Sequence, residues 1–179
     1  MKKKPSLTDL RNFVYLVWQY LGLPSPTPLQ YSICEFLQEG HKRIIIEGYR
    51  GIGKSYLTAT YVLHQLLLDP QKNILVVSAS KNRADDFSTF TLRLINEIDV
   101  LAHLRPLESQ RQSKVSFDVR PARASHAPSV KSLGITSQLT GSRSDLVIAD
   151  DVETSQNSAT MGMRDKLSTS VKEFESIIK

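Results

Sequence analysis

Gly48-Tyr49-Arg50-Gly51-Ile52-Gly53-Lys54-Ser55 satisfies the pattern G-x-x-x-x-G-K-[ST] in full. The β-branched run before it, Arg43-Ile44-Ile45-Ile46-Glu47, reads as a buried strand. After it Tyr56, Ala59, Leu63, Leu66 and Leu67 line one helical face, and Asp69-Pro70 closes the helix. Strand, glycine turn and helix in that order are the setting in which the octapeptide has a physical meaning. Glycines let successive backbone N–H groups face one concavity, and the helix start adds its positive end. Lys54 then supplies a point charge for the β and γ phosphates of ATP, and Ser55 a hydroxyl for Mg²⁺.

Working outward, Leu10, Phe13, Val14, Val17 and Leu21 recur at helical spacing. The stretch Leu23-Pro24-Ser25-Pro26-Thr27-Pro28 ends that helix and begins another, with Thr27 as cap, Pro28 at the first position and Gly40 at the close. Ile33, Phe36 and Leu37 lie on this second helix, with Cys34 buried beside them. Downstream, Ile74-Leu75-Val76-Val77 reads as a second buried strand. A helix carrying Phe87, Phe90, Leu94, Ile95 and Ile98 on its inner side follows. Residues 106–140 lack a helical period, and Val115-Ser116-Phe117-Asp118-Val119 and residues 130–135 read as shorter strands. Leu146-Val147-Ile148-Ala149 reads as a third buried strand, and 159–178 as a helix with Leu167, Val171, Phe174 and Ile178 on one face. This alternation implies an α/β fold, a three-layer sandwich around a mainly parallel sheet. One domain over 1–179 is expected, with helices at 1–40 and a nucleotide-binding core at 41–179.

The strand 146–149 delivers Asp150-Asp151 at its C-terminal end, the edge at which open α/β sheets bind ligands. Asp150 is expected to hold the Mg²⁺ shell. Asp151 or Glu153 would position or deprotonate the attacking water. Arg50, inside the loop, and Arg143, just before the acidic strand, are candidate cations for transition-state charge, because planar guanidinium matches phosphate oxygens. The side-chain amide of Gln30 both donates and accepts, as adenine recognition requires.

A hydrophobic fraction of 40% suits a genuine core, and no apolar run approaches the ~18 residues of a membrane span. The basic opening Met1-Lys2-Lys3-Lys4 leads into Pro5, Thr8, Asp9 and Arg11, not into the apolar stretch of a secretory signal. A single cysteine excludes an internal disulfide and a cysteine-cluster metal site. The charge of +5 permits a polyanionic partner without demanding one. Lys81, Arg83, Arg111, Lys114, Arg120 and Arg123 are candidates for DNA contact that read equally well as solvated surface.

Thr27-Pro28-Leu29-Gln30, the loop 48–55, Ser78-Ala79-Ser80-Lys81, Leu139-Thr140-Gly141-Ser142-Arg143, Ile148-Ala149-Asp150-Asp151-Val152-Glu153 and Ser158-Ala159-Thr160-Met161-Gly162 occur in that order. The set resembles the large terminase subunit of short-tailed, podovirus-type phages over nearly the whole chain. The resemblance implies a P-loop NTPase of the additional-strand type that hydrolyses ATP to drive double-stranded DNA into a procapsid. It implies a ring of copies on the portal, fed by a small terminase subunit, in the host cell cytoplasm and with no membrane. Lys54 and Ser55 would hold phosphate and Mg²⁺, Arg50 would reach the γ-phosphate, and Gln30 would lie near adenine. Family members continue into a coupling strand and a metal-dependent nuclease domain. The expectation here is a chain cut before both, without the nuclease carboxylates. Two other readings are a helicase-like, DNA-stimulated ATPase and a module that binds nucleotide without hydrolysing it.

Overall fold

The computed structural model describes residues 6–139 and 141–179. The basic start of the chain and Thr140 of the 139–143 motif lie outside the described residues. Contacts gather into two compact units, Met1–His64 and Gln65–Lys179.

In the first unit, α1 (Leu10–Tyr20) is capped by Asp9, whose carboxylate accepts from the Arg11 amide. Its buried stripe is Leu10, Phe13, Val14, Val17 and Trp18, the i, i+3, i+4 spacing of a helix with one apolar face. Helix α2 (Pro28–Gln38) begins with Thr27 as cap, Pro28 in the first turn and a capping box closed by Gln30. Gly40 follows at φ +75°, the left-handed conformation that suits glycine after a helix. Cys34 is fully buried, and burial pushes its thiol up to about 12. Arg11 bridges Asp9 and Glu35 at 2.7 Å to each, but the groups are exposed and solvent screens both pairs, so they add little to stability.

The strand expected at 43–47 does not form. Residues 44–49 are irregular, and Ile45 is 85% exposed. An extended run becomes a strand only when a neighbour takes its N–H and C=O groups, and no ladder among the described residues includes this one. Helix α3 (Lys54–Leu68) begins at the loop lysine.

The second unit is built on a four-stranded sheet of order β2-β3-β1-β4. Its strands are β1 (Ile74–Ser78), β2 (Ser116–Phe117), β3 (Val130–Gly134) and β4 (Leu146–Asp150). Strand β1 runs parallel to both neighbours, and β2 is antiparallel to β3, so the sheet is mixed. Every residue of β1 is buried, which explains its unbroken apolar run. Helix α4 (Lys81–Glu97) packs on the face that carries Ser132, where Ser88 Oγ and Ser132 Oγ lie 2.7 Å apart. The opposite face carries Leu75 and Val77, clustered with Ile135, Leu139 and Ile177 and joined by Leu167 and Phe174. Those last residues come from α5 (Met161–Lys172) and α6 (Phe174–Ile177), so helices cover both faces.

Three expectations are corrected in this unit. The strand at 115–119 shrinks to Ser116–Phe117, because only β3 is there to pair with it. The helix expected over 159–178 breaks at Glu173 into α5 and α6. Strand β4 is half-buried, not buried, because it is an edge strand with β1 on one side. On its other side, among the described residues, stands a single parallel bridge between Ser144 and Ile178. No helix of the described residues is long and apolar enough to cross a membrane.

Candidate nucleotide site

The glycine loop sits on the platform made by α1 and α2. Gly51 and Gly53 take φ of +97° and +84°, conformations that side chains rarely adopt. A Cβ on Gly53 would stand 3.3 Å from Gln30 Nε2 and 3.9 Å from Trp18 Cζ2. Ile52 is buried and anchors the turn, whereas Tyr49 and Arg50 are exposed at its tip. The Lys54 ammonium donates to the carbonyls of Gly48 at 2.8 Å and Tyr49 at 3.3 Å, arching over the loop it terminates. Lys54 is half-buried and Ser55 exposed at the head of α3, whose first-turn amides have no intrahelical acceptor.

Gln30 packs against the glycine loop. It is buried, its Oε1 accepts from the Thr27 amide at 2.8 Å, and its Nε2 donates to the Ile52 carbonyl at 2.8 Å. One side chain thus closes the α2 cap and holds the glycine loop. Its amide is spent on backbone, which makes it a brace for the loop. Trp18, which stacks edge-on against Tyr56 with ring centroids 6.2 Å apart, completes that support. Sequence reasoning missed Trp18, although it continues the apolar stripe four residues after Val14.

In the second unit, β1 and β4 end side by side, with Ser78 in register with Asp150. Asp150 is half-buried, and Asp151 and Glu153 are exposed. Asp151 takes φ +51°, a conformation open to Asp more readily than to most side chains. Its Oδ2 accepts from Arg83 Nη1 at 3.0 Å. Arg83 lies in the first turn of α4, whose cap is Ser80. The fold turns this arginine onto the acidic strand end. Gly134, in register with Ser78, lets α4 start here, since a Cβ on it would lie 2.8 Å from Lys81 N and 2.9 Å from Ser80 C.

Arg143 lies beyond the other end of the acidic strand. It precedes β4, and Asp150 ends it, so the strand separates them by about 20 Å at ~3.3 Å per residue. Among the described residues, no group of three or more His, Cys, Asp or Glu side chains could cage a metal ion.

No family model matches the chain. Over 172 residues, 96% of its length, it is 49% identical to the terminase large subunit of Enterobacteria phage T3. The chain is a relative of the terminase large subunits. The match falls in the N-terminal part of the phage T3 protein and spans 29% of that protein's length. The resemblance drawn from the ordered motifs therefore holds.

Proposed function

We propose that this chain is the ATP-hydrolysing part of a packaging terminase, with the P-loop NTPase architecture of the additional-strand type. The observation that carries the reading is the glycine loop. Two glycines in left-handed conformations, a lysine folded over the loop and a helix starting at that lysine form a cradle for phosphate oxygens. The loop residues Gly48, Tyr49, Arg50, Gly51, Ile52, Gly53, Lys54 and Ser55 would take the phosphates, with Arg50 free at the tip to meet γ-phosphate charge. Asp151, oriented by Arg83, would position the attacking water, with Glu153 the alternative.

The donors present fit Mg²⁺. Ser55 and Asp150 each offer a hard oxygen of the kind Mg²⁺ takes. Bound there, Mg²⁺ would neutralise charge developing on the phosphate oxygens. The partners that go with this reading are double-stranded DNA, a portal, a small terminase subunit and further copies in a ring, in the host cytoplasm. No residue here is proposed for strand cleavage.

One observation favours a second reading, a module that holds nucleotide without turning it over: the run 43–47 leading into the loop is not part of a sheet. Titrating a fluorescent ATP analogue and measuring phosphate release with and without duplex DNA separates the two. Lys54→Ala is expected to abolish release while leaving the unfolding midpoint in place, because Lys54 bonds loop carbonyls and not core. A folded Lys54→Ala protein that hydrolyses ATP normally would sink the site. Nucleotide binding without release, in the unmodified chain, would favour the module.

A further inference from the structure

We infer that the edge of the sheet at which the parallel strands begin is a surface for the phosphate backbone of duplex DNA, centred on Arg120 and Arg123. The choice of DNA among polyanions rests on the packaging reading; the surface itself does not.

Ile74, Val130 and Leu146 share one register row, so the segments leading into β1, β3 and β4 meet at one edge. Those segments carry Lys72, Arg120, Arg123 and Arg143; Arg111 joins them through Asp118, and Lys179 by bonding Asn73. The carboxylates of Asp69, Asp118 and Asp145, on or beside these segments, are each engaged. Asp118 pairs with Arg111 at 3.1 Å, Asp145 pairs with Lys179 at 3.2 Å, and Asp69 accepts from the Gln71 amide. Among the described residues, Lys72, Arg120, Arg123 and Arg143 have no carboxylate within ion-pair distance, and the three arginines are exposed.

Arg120-Pro121-Ala122-Arg123 is also held more firmly than a surface loop needs. The Ala122 amide donates to the buried Val119 carbonyl at 2.9 Å, and the Arg120 amide to Leu104 at 3.2 Å. Gln71 brackets the turn from one side, giving Nε2–H to the Pro121 carbonyl at 2.7 Å and taking the Arg123 amide at 3.1 Å. Gln110 Nε2 reaches the carbonyls of Val119 and Arg120 from the other. Two glutamine amides and a proline therefore fix the backbone that presents two solvent-facing guanidinium groups. Such preorganisation lowers the ordering cost of binding, and guanidinium matches phosphate oxygens in pairs. Backbone contacts of this kind hold DNA regardless of sequence, as a protein that moves along DNA requires. The five residues of β1, at ~3.3 Å each, put about 15 Å between this edge and the acidic edge, so the two can be perturbed separately.

The test is binding of a fluorescent 30-base-pair duplex to the whole chain, without nucleotide, from about 50 to 200 mM salt. Each guanidinium–phosphate pairing that a variant abolishes lowers the slope of log affinity against log salt by about 0.9. The double variant Arg120→Gln/Arg123→Gln should thus lower the slope by about 1.8, which over that range makes its affinity about tenfold less sensitive to salt. Arg120→Lys/Arg123→Lys should keep most of the slope, and any ATP turnover should be unchanged in both. An unchanged slope in the folded glutamine variant overturns the inference, as does absence of duplex binding by the unmodified chain. Displacement of the duplex by polyglutamate at equal charge concentration would overturn DNA as the occupant. Because no nucleotide is present, a lowered slope in a chain that hydrolyses no ATP supports the surface while refuting hydrolysis.

Discussion

Replacing Gln30 by alanine distinguishes a brace from a base reader. The substitution removes two hydrogen bonds of 2.8 Å, one to the Thr27 amide and one to the Ile52 carbonyl. Each such bond contributes about 1 kcal/mol net, and leaving the carbonyl of buried Ile52 without its donor adds about 1–3 kcal/mol. The expected cost is about 3–5 kcal/mol, partly in the α2 cap and partly in the loop. For a chain of this size each kcal/mol moves the melting midpoint by about 2–4 °C, so calorimetry should show a drop of roughly 6–20 °C. Gln30→Glu should do comparable harm, since it keeps an acceptor for Thr27 but sets a carboxylate against the Ile52 carbonyl. Equilibrium titration of ATP and GTP analogues supplies the second readout. A disordered loop weakens both nucleotides alike, because both present the same triphosphate. A base-reading amide would cost ATP alone. If Gln30→Ala leaves the melting midpoint in place and removes a preference for ATP over GTP, the bracing argument is wrong.

Three other outcomes are expected. Gly134→Ala puts a methyl group 2.8 Å from the Lys81 backbone nitrogen, so denaturant unfolding should show a loss of about 1–3 kcal/mol, whereas Gly162→Ala in α5, with open space around it, should be neutral or stabilising. Arg83→Ala removes an exposed ion pair worth less than about 1 kcal/mol, so stability should barely change while kcat for ATP falls and KM holds; an unchanged kcat would separate Arg83 from the chemistry. Burial raises the Cys34 thiol to about 12, so at pH 8 it should react with an aromatic disulfide reagent only on unfolding; its contribution to stability is present below the ordinary cysteine range and is lost as pH rises towards 12.

The elements whose identity lay in local chemistry were legible in the order of residues. Thr27-Pro28 marked the start of α2, and the apolar run 74–77 marked β1, which is buried along its whole length. The glycine pattern marked the loop, because its backbone angles demand glycine at 51 and 53. Misreadings came where an outcome depended on a distant neighbour. Ile44-Ile45-Ile46 has strand composition, yet its backbone finds no partner strand among the described residues. Leu146-Val147-Ile148 is as apolar as β1 but lies at an edge and stays half-exposed.

By itself, then, the sequence determined the glycine loop, the cap of α2, the order of most strands and helices, and kinship with terminase large subunits. Only the tertiary structure decided what the long polar side chains do. Gln30 turns inward to the loop backbone, Arg83 crosses 68 positions of sequence to meet Asp151, and Gln71 crosses about fifty to hold the Arg120–Arg123 turn. The physical reason is that caps and turns are set by interactions within a few residues. A flexible side chain carrying an amide or guanidinium takes its partner from whatever the packed elements bring within about 3 Å.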